Sequence, residues 1–146
     1  MLPWPAKRVL AQACFWLVRV RLALAHRSFA AVLQRVRRWA EAERAPDTTV
    51  AGWGSVRTMC HLVERAARGL PGRYTCLPQA LAGYVICARR GRRTVLRVGV
   101  NRASADNGEE LTAHAWLELE DGTVVLGDIP RLRDFRVFDR AEELIL

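Results

Sequence analysis

The 146-residue chain predicts an α+β fold, with N-terminal helices packed on a small antiparallel sheet. Two features of the sequence carry that expectation. Up to about residue 90 the apolar residues recur at helical spacing; beyond Gly91 the period falls to two, and an Asp121-Gly122 turn separates two alternating runs. The length suits a single domain, 1–146, that buries a core without metals or disulfides. Within it the sequence divides into a helical region at 1–45, a core at 46–130 and a tail at 131–146 that packs back on the core.

The first helix is expected at about residues 6–25, with Leu10, Cys14, Leu17 and Val18 on one stripe and Arg8, Arg19 and Arg21 elsewhere. Its "KRVLAQACFWLV" reads like a short signal core and "LALA" like a cleavage site. Arg19 and Arg21 interrupt it before signal-peptide form is reached, and nothing approaches about 20 uninterrupted apolar residues. A cytoplasmic location with reduced thiols is the expectation. In "SFAAVLQRVRRWAEAE" Phe29, Val32, Leu33, Val36 and Trp39 mark a second helix with Ser28 as N-cap, and Arg35, Arg37 and Arg38 fall largely on its other side. Ala45-Pro46-Asp47 is a break. A third helix, about 55–68, offers Val56, Met59, Leu62, Val63 and Ala66 to the core and ends at Gly69.

"LPGR" at 70–73 is a turn, and the fourth helix begins near Cys76, because Pro78 is tolerated only in a first turn. Leu77, Leu81, Tyr84, Val85 and Ala88 form its expected buried face, and Gly91 stops it. "TVLRVGV" then places Leu96, Val98 and Val100 on one face of a strand. Residues 102–110 read as a polar loop. "TAHAWLELE" puts Ala113, Ala115, Leu117 and Leu119 on one side and His114, Trp116, Glu118 and Glu120 on the other. "TVVLGD" is the returning strand.

A hydrophobic fraction of 51% and a charged fraction of 26% belong to an ordinary soluble protein, but the net charge is +8. Lys7 is the single lysine; every other cation is arginine, a residue suited to carboxylates and phosphates. Nucleic acid is not the expected partner, since no base-stacking aromatics interleave with the arginines. Phe15 and Trp16 between flanking arginines have the style of an interfacial helix, which leaves peripheral membrane association open beside packing on the core or on a partner. The four cysteines match no zinc spacing.

Cys76 is the first chemical candidate. At a helix start a thiolate meets unpaired backbone N–H groups and the positive end of the helix dipole. A buried structural cysteine is the competing reading, and Cys14, Cys60 and Cys87 are taken as core thiols. His114 is the second candidate, mid-strand, with small neighbours that leave room for a partner and Trp116 two positions on to shield an ion pair. Asp128 is the third, and the hairpin decides it. A two-residue Asp121-Gly122 loop sets Ala115 opposite Asp128. A three-residue Glu120-Asp121-Gly122 loop, with Gly122 left-handed, sets His114 opposite Asp128, within reach of a His–Asp hydrogen bond. Asp121 reads as a turn residue. His26 and His61 have no acid at telling spacing.

A helix-borne nucleophile, a strand-borne base and a carboxylate on the next strand make a Cys-His-Asp arrangement for thiol acyl transfer. In chain order and helix-then-sheet pattern it resembles the transglutaminase-like branch of the papain-type cysteine protease fold. "LPGRYTCLPQALAGYVICARRGRRTVLRVGV", "AHAWLELEDG" and "VVLGDIP" are similar, over about residues 50–130, to the transglutaminase-like leader peptidases of bacterial lasso-peptide biosynthesis. The resemblance implies that Cys76, His114 and Asp128 are catalytic. It also implies that the enzyme cuts a ribosomal precursor between leader and core, freeing an amine that an ATP-dependent lasso cyclase joins to a core Asp or Glu. Some relatives carry their own leader-recognition domain. This chain is too short for one, so a separate leader-recognition protein is the implied partner, beside the precursor (leader) peptide as substrate. No metal or organic cofactor is required.

In that chemistry the Cys76 N–H would hold the oxyanion. Gln79, one turn along, is expected to aim away from Cys76 and to be structural. Two rival readings remain: an amide transferase or deamidase using the same three residues, and a non-catalytic basic module that binds a leader peptide or membrane surface.

Overall fold

The computed structural model describes residues 1–42, 55–105 and 108–137. Among these, four helices precede four strands. The helices are α1 (Trp4–His26), α2 (Phe29–Glu41), α3 (Val56–Gly69) and α4 (Cys76–Arg89). The strands are β1 (Val95–Ala105), β2 (Gly108–Glu118), β3 (Val124–Leu126) and β4 (Arg136–Val137), and they form one antiparallel sheet in the order β3-β2-β1-β4. The fold is α+β, as the change of period predicts. The break at Pro46 and the tail residues Phe138 and Leu144 lie outside the described residues.

Local chemistry sets the helix ends. Ser28 accepts from Ala31 N (3.3 Å) and Ser55 from Thr58 N (3.2 Å), each satisfying a donor that the helix cannot use. α4 ends in a Schellman arrangement: Gly91 takes φ +71°, its N–H reaches Ala88 O (3.0 Å), and Arg92 N reaches Cys87 O (2.9 Å).

α4 is the central element, packing against the other three helices and against β1, β2 and β3. Its expected buried stripe is displaced: Leu81 and Val85 are buried, but Leu77, Tyr84 and Ala88 are only half-buried. Pro78, Ala80, Leu81, Ala82, Gly83, Val85, Ile86 and Cys87 are all buried, so both sides of the helix face core. Small residues make this possible; a Cβ on Gly83 would stand 3.0 Å from Leu117 and 3.2 Å from Leu126. Each fully buried aliphatic side chain here contributes roughly 1.5–3 kcal/mol. Arg89 binds this helix to the end of α2 by donating to Trp39 O (3.0 Å) and Ala42 O (2.9 Å).

The buried face of α1 also differs from the expected one. Ala6, Val9, Ala13, Trp16, Leu17 and Val20 face the core, Leu10 and Cys14 are half-buried, and Val18 is exposed. α1 is apolar on two faces, so spacing alone does not say which one turns inward. Trp16 packs on Trp39 of α2, with ring centroids 5.4 Å apart.

The polar loop expected at 102–110 is a continuation of the sheet. Pairing runs from Val95↔Glu118 to Ala105↔Gly108. An antiparallel ladder is held by backbone hydrogen bonds, and polar side chains do not end it.

Candidate active site

Cys76 is the first residue of α4 and is half-buried against the edge of the core. Unlike α2 and α3, α4 has no side-chain cap: Thr75 at the N-cap makes no such hydrogen bond. Pro78 brings no N–H, and Gln79 N bonds to Thr75 O (3.3 Å). The N–H groups of Cys76 and Leu77 are left at the mouth of the helix. The approach to Cys76 is held from two sides. Gln79 Nε2 donates to Tyr74 O (2.7 Å), and the Arg21 guanidinium lies 4.9 Å from the centre of the Tyr74 ring. Gln79 thus does not aim away down the helix, because helical side chains tilt toward the N-terminus. It bonds the chain two residues before the thiol.

His114 lies on β2 opposite Gly99 of β1. Ala115 and Leu117 are buried toward the helices, so His114 and Trp116 project from the other face. That face is not half-open. Trp116 is 2% exposed, covered by Phe135, which follows the short 3-10 turn Leu132–Asp134. The His114 ring stacks on Trp116 at 5.9 Å and 18°, and meets Phe135 at 5.8 Å. Gly99 makes room, since a Cβ there would stand 3.0 Å from the Trp116 ring. Trp116 Nε1 donates to Glu118 (2.8 Å), which also accepts from Arg97 Nε (3.2 Å), so the indole under the histidine is fixed in plane.

His114 Nε2 is 2.6 Å from the carbonyl of Gly127. A carbonyl only accepts, so Nε2 carries the hydrogen and Nδ1 of the neutral ring keeps its lone pair. The bond fixes the orientation of the ring through Nε2.

The hairpin contains a correction. The three-residue loop does form: Leu119 N bonds to Thr123 O (2.8 Å), and Gly122 takes φ +88°. It was expected to set His114 opposite Asp128. A bulge then intervenes, with Glu118 paired to Val124 and Leu117 to Leu126. The extra residue, Val125, shifts the register by one, and the strand ends at Leu126, so the left-handed Gly127 takes the chain out of the ladder before Asp128. The carboxylate is on an exposed residue, and among the described residues no hydrogen bond or ion pair joins it to His114.

Cys76 and His114 sit toward the same end of the α4–β2 pair, but His114 projects from the face of the sheet that α4 does not cover. At the other end, Tyr84 and Ala88 share a hollow with Val95 and Glu120, and midway Gly83 lies against Leu117. From there Cys76 is about 10 Å back along the helix and His114 about 10 Å back along the strand. No hydrogen bond joins thiol to imidazole among the described residues. The structure thus brings together His114, Trp116 and the chain just before Asp128, and leaves the thiol contact unmade.

Cys60 and Cys87 are fully buried thiols, one on α3 and one on α4. The hydrogen bond to Cys87 and burial push the Cys60 thiol well above the ordinary cysteine range, which keeps it protonated and inert. Cys14 is half-buried on α1, and all four thiols are free. His26 and His61 are exposed. Among the described residues no three His, Cys, Asp or Glu side chains converge to hold a metal ion.

Two contributors escaped the sequence reading. Phe135 was assigned only to the tail, and a backbone carbonyl leaves no mark on a residue pattern. The available signal was Gly127, a glycine closing a short strand, where a left-handed turn is common.

The family model of the transglutaminase-like superfamily matches residues 15–139. No curated protein and no solved structure matches the chain.

Proposed function

Because the chain belongs to the transglutaminase-like superfamily, a fold of cysteine protease and transferase type, we propose that it is a Cys-His thiol peptidase that removes the leader from a lasso-peptide precursor. The observation that carries the enzymatic reading is the His114 ring, its orientation fixed through Nε2 by Gly127 O. The narrower reading rests on the Cys76-Leu77-Pro78 helix start and the Ala113-His114-Ala115-Trp116 strand, which resemble the leader peptidases of that biosynthesis.

In this reading Nδ1 of His114 takes the Cys76 proton, and the thiolate attacks the carbonyl of the last leader residue. The Cys76 N–H faces the oxyanion. The imidazolium returns the proton to the departing core amine as the C–N bond breaks, leaving a leader thioester. Water, deprotonated by His114, then displaces Sγ and releases the leader acid. The Gly127 carbonyl orients the ring throughout, and Asp128, one residue on, supports the imidazolium through its charge. The reaction belongs in the cytoplasm, with a separate leader-recognition protein delivering the precursor and an ATP-dependent cyclase consuming the freed amine.

The test is intact-mass analysis of the precursor peptide incubated with the protein and its leader-recognition partner, beside a folded Cys76→Ala variant. Cleavage at one bond by the wild type alone is the expected result. Equal cleavage by both overturns the assignment of Cys76, and a new amide or a deamidated glutamine in place of a cut makes the chain a transferase or deamidase.

A further inference from the structure

α1 is apolar on two faces, and only one is used by the fold. With its inner face spent on the core, the outer face at about 100° per residue aligns Trp4, Ala11, Phe15, Val18 and Leu22 in one stripe opposite the buried residues. All five are exposed, Trp4 by 72%, Phe15 by 53% and Leu22 by 56%. Arg8 and Arg19 lie along one shoulder of the stripe and Lys7 along the other, where Arg21 turns its guanidinium to Tyr74; all four are exposed. α1 contains no acidic residue. On the Arg19 side α2 adds further charge, with Arg35 close enough to feel Arg27, Arg38 and Arg19 together.

We propose that this stripe docks α1 flat on an anionic phospholipid bilayer, its apolar residues entering the acyl boundary and the cations on both shoulders reaching the phosphates. Charge complementarity selects the occupant. A second copy would set cations against cations on both shoulders. A bilayer of anionic lipid offers negative charge along both sides of an apolar strip at once, and aromatic and aliphatic residues between Arg and Lys shoulders are the composition of an interfacial helix. α1 is long and apolar enough to cross a membrane, with mean hydropathy 1.3. It does not cross in this fold, because Ala6, Val9, Ala13, Trp16, Leu17 and Val20 are held in the core. The docked helix lies in the plane of the interface.

Sedimentation of the full chain with vesicles tests this, comparing phosphatidylcholine mixed with phosphatidylglycerol against phosphatidylcholine alone. Binding to the anionic vesicles is expected, weakening as salt rises. It falls by about tenfold or more in the double variant Phe15→Asp/Leu22→Asp. Both positions are exposed, so that variant keeps its helical circular dichroism. Lys7→Glu/Arg8→Glu lowers anionic binding while leaving the neutral vesicles unaffected. Absence of vesicle binding, or binding unchanged by Phe15→Asp/Leu22→Asp, overturns the proposal. So does a dimer that the same variant dissolves, which would give the stripe to a second copy. A soluble acidic protein that needs Phe15 and Leu22, with no vesicle binding, would give it to a protein partner.

Discussion

His114 Nε2 bonds to the backbone carbonyl of Gly127 at 2.6 Å, and the side chain of Asp128 takes no part in that bond. An orienter made of backbone has a consequence for mutation. It cannot be removed by changing its own side chain, only by moving the chain that presents it. The bulge at Val125 and the left-handed Gly127 shape the short segment that presents this carbonyl.

Asp128→Asn is therefore expected to lower kcat for leader cleavage by only about tenfold, the cost of losing a nearby charge. Where a carboxylate itself holds the histidine, the same exchange costs about ten-thousandfold. Single-turnover rates on the precursor peptide separate the two cases, and a loss near the larger figure would show that Asp128 replaces Gly127 O on the bound enzyme.

Gly127→Ala is expected to be far more harmful than Gly122→Ala, although both glycines have positive φ, +82° and +88°. Around Gly122 an added Cβ meets open space, so the cost is the left-handed backbone alone, about 1 kcal/mol. At Gly127 the Cβ would stand 2.9 Å from Ala115 O and 3.0 Å from Trp116 Cβ, and the chain has to shift. A loss of about 2–3 kcal/mol follows from adding that clash to the backbone strain, and the shifted carbonyl leaves His114. Thermal melting measures the first effect and cleavage rate the second. Gly122→Ala should keep its rate.

Thiol reactivity should sort by position in the fold. Alkylation of the native protein is expected to label Cys76 first and Cys14 more slowly, while Cys60 and Cys87 react only in denaturant. Both of these are sealed between α3 and α4, and the Cys60 thiol is held protonated by its bond to Cys87 and by burial. Peptide mapping after a short iodoacetamide pulse gives the order. Early labelling of Cys60 would mean that the α3–α4 contact opens readily in solution.

How much of this was legible in the sequence depends on which physical signal each feature leaves. Helix ends were readable at Ser28 and Gly91, because each acts within a few residues of itself. The change of period at Gly91 announced the sheet. Which face of α1 turns inward was not readable, since both faces are apolar and only the position of α3 and α4 decides between them. Cys76 and His114 were legible as residue types in their elements. The partner of His114 was not, because a one-residue bulge at Val125 helps shape the segment that presents it. Val124, Val125 and Leu126 are equally good strand residues, and nothing in their pattern says which one is passed over.

Asp121 supplies the pH prediction. It caps the β2–β3 turn by accepting from Thr123 N at 2.9 Å. That backbone hydrogen bond, joined by a further one from the Thr123 side chain, holds the Asp121 carboxyl below the usual carboxylate range. In the unfolded chain its pKa returns to about 3.9. A depressed folded value means that the unfolded state takes up the proton more readily. The turn's contribution is thus fully present above about pH 4 and is lost as pH falls through the lower folded value. An NMR titration of the Asp121 carboxyl should give a midpoint below that of an unfolded peptide. Asp121→Asn should remove this part of the acid dependence of the melting temperature while leaving the neutral-pH cleavage rate unchanged, since Asp121 lies at the far end of β2 from His114. A normal midpoint would mean that the cap is broken in solution, and the left-handed Gly122 alone would then hold the turn.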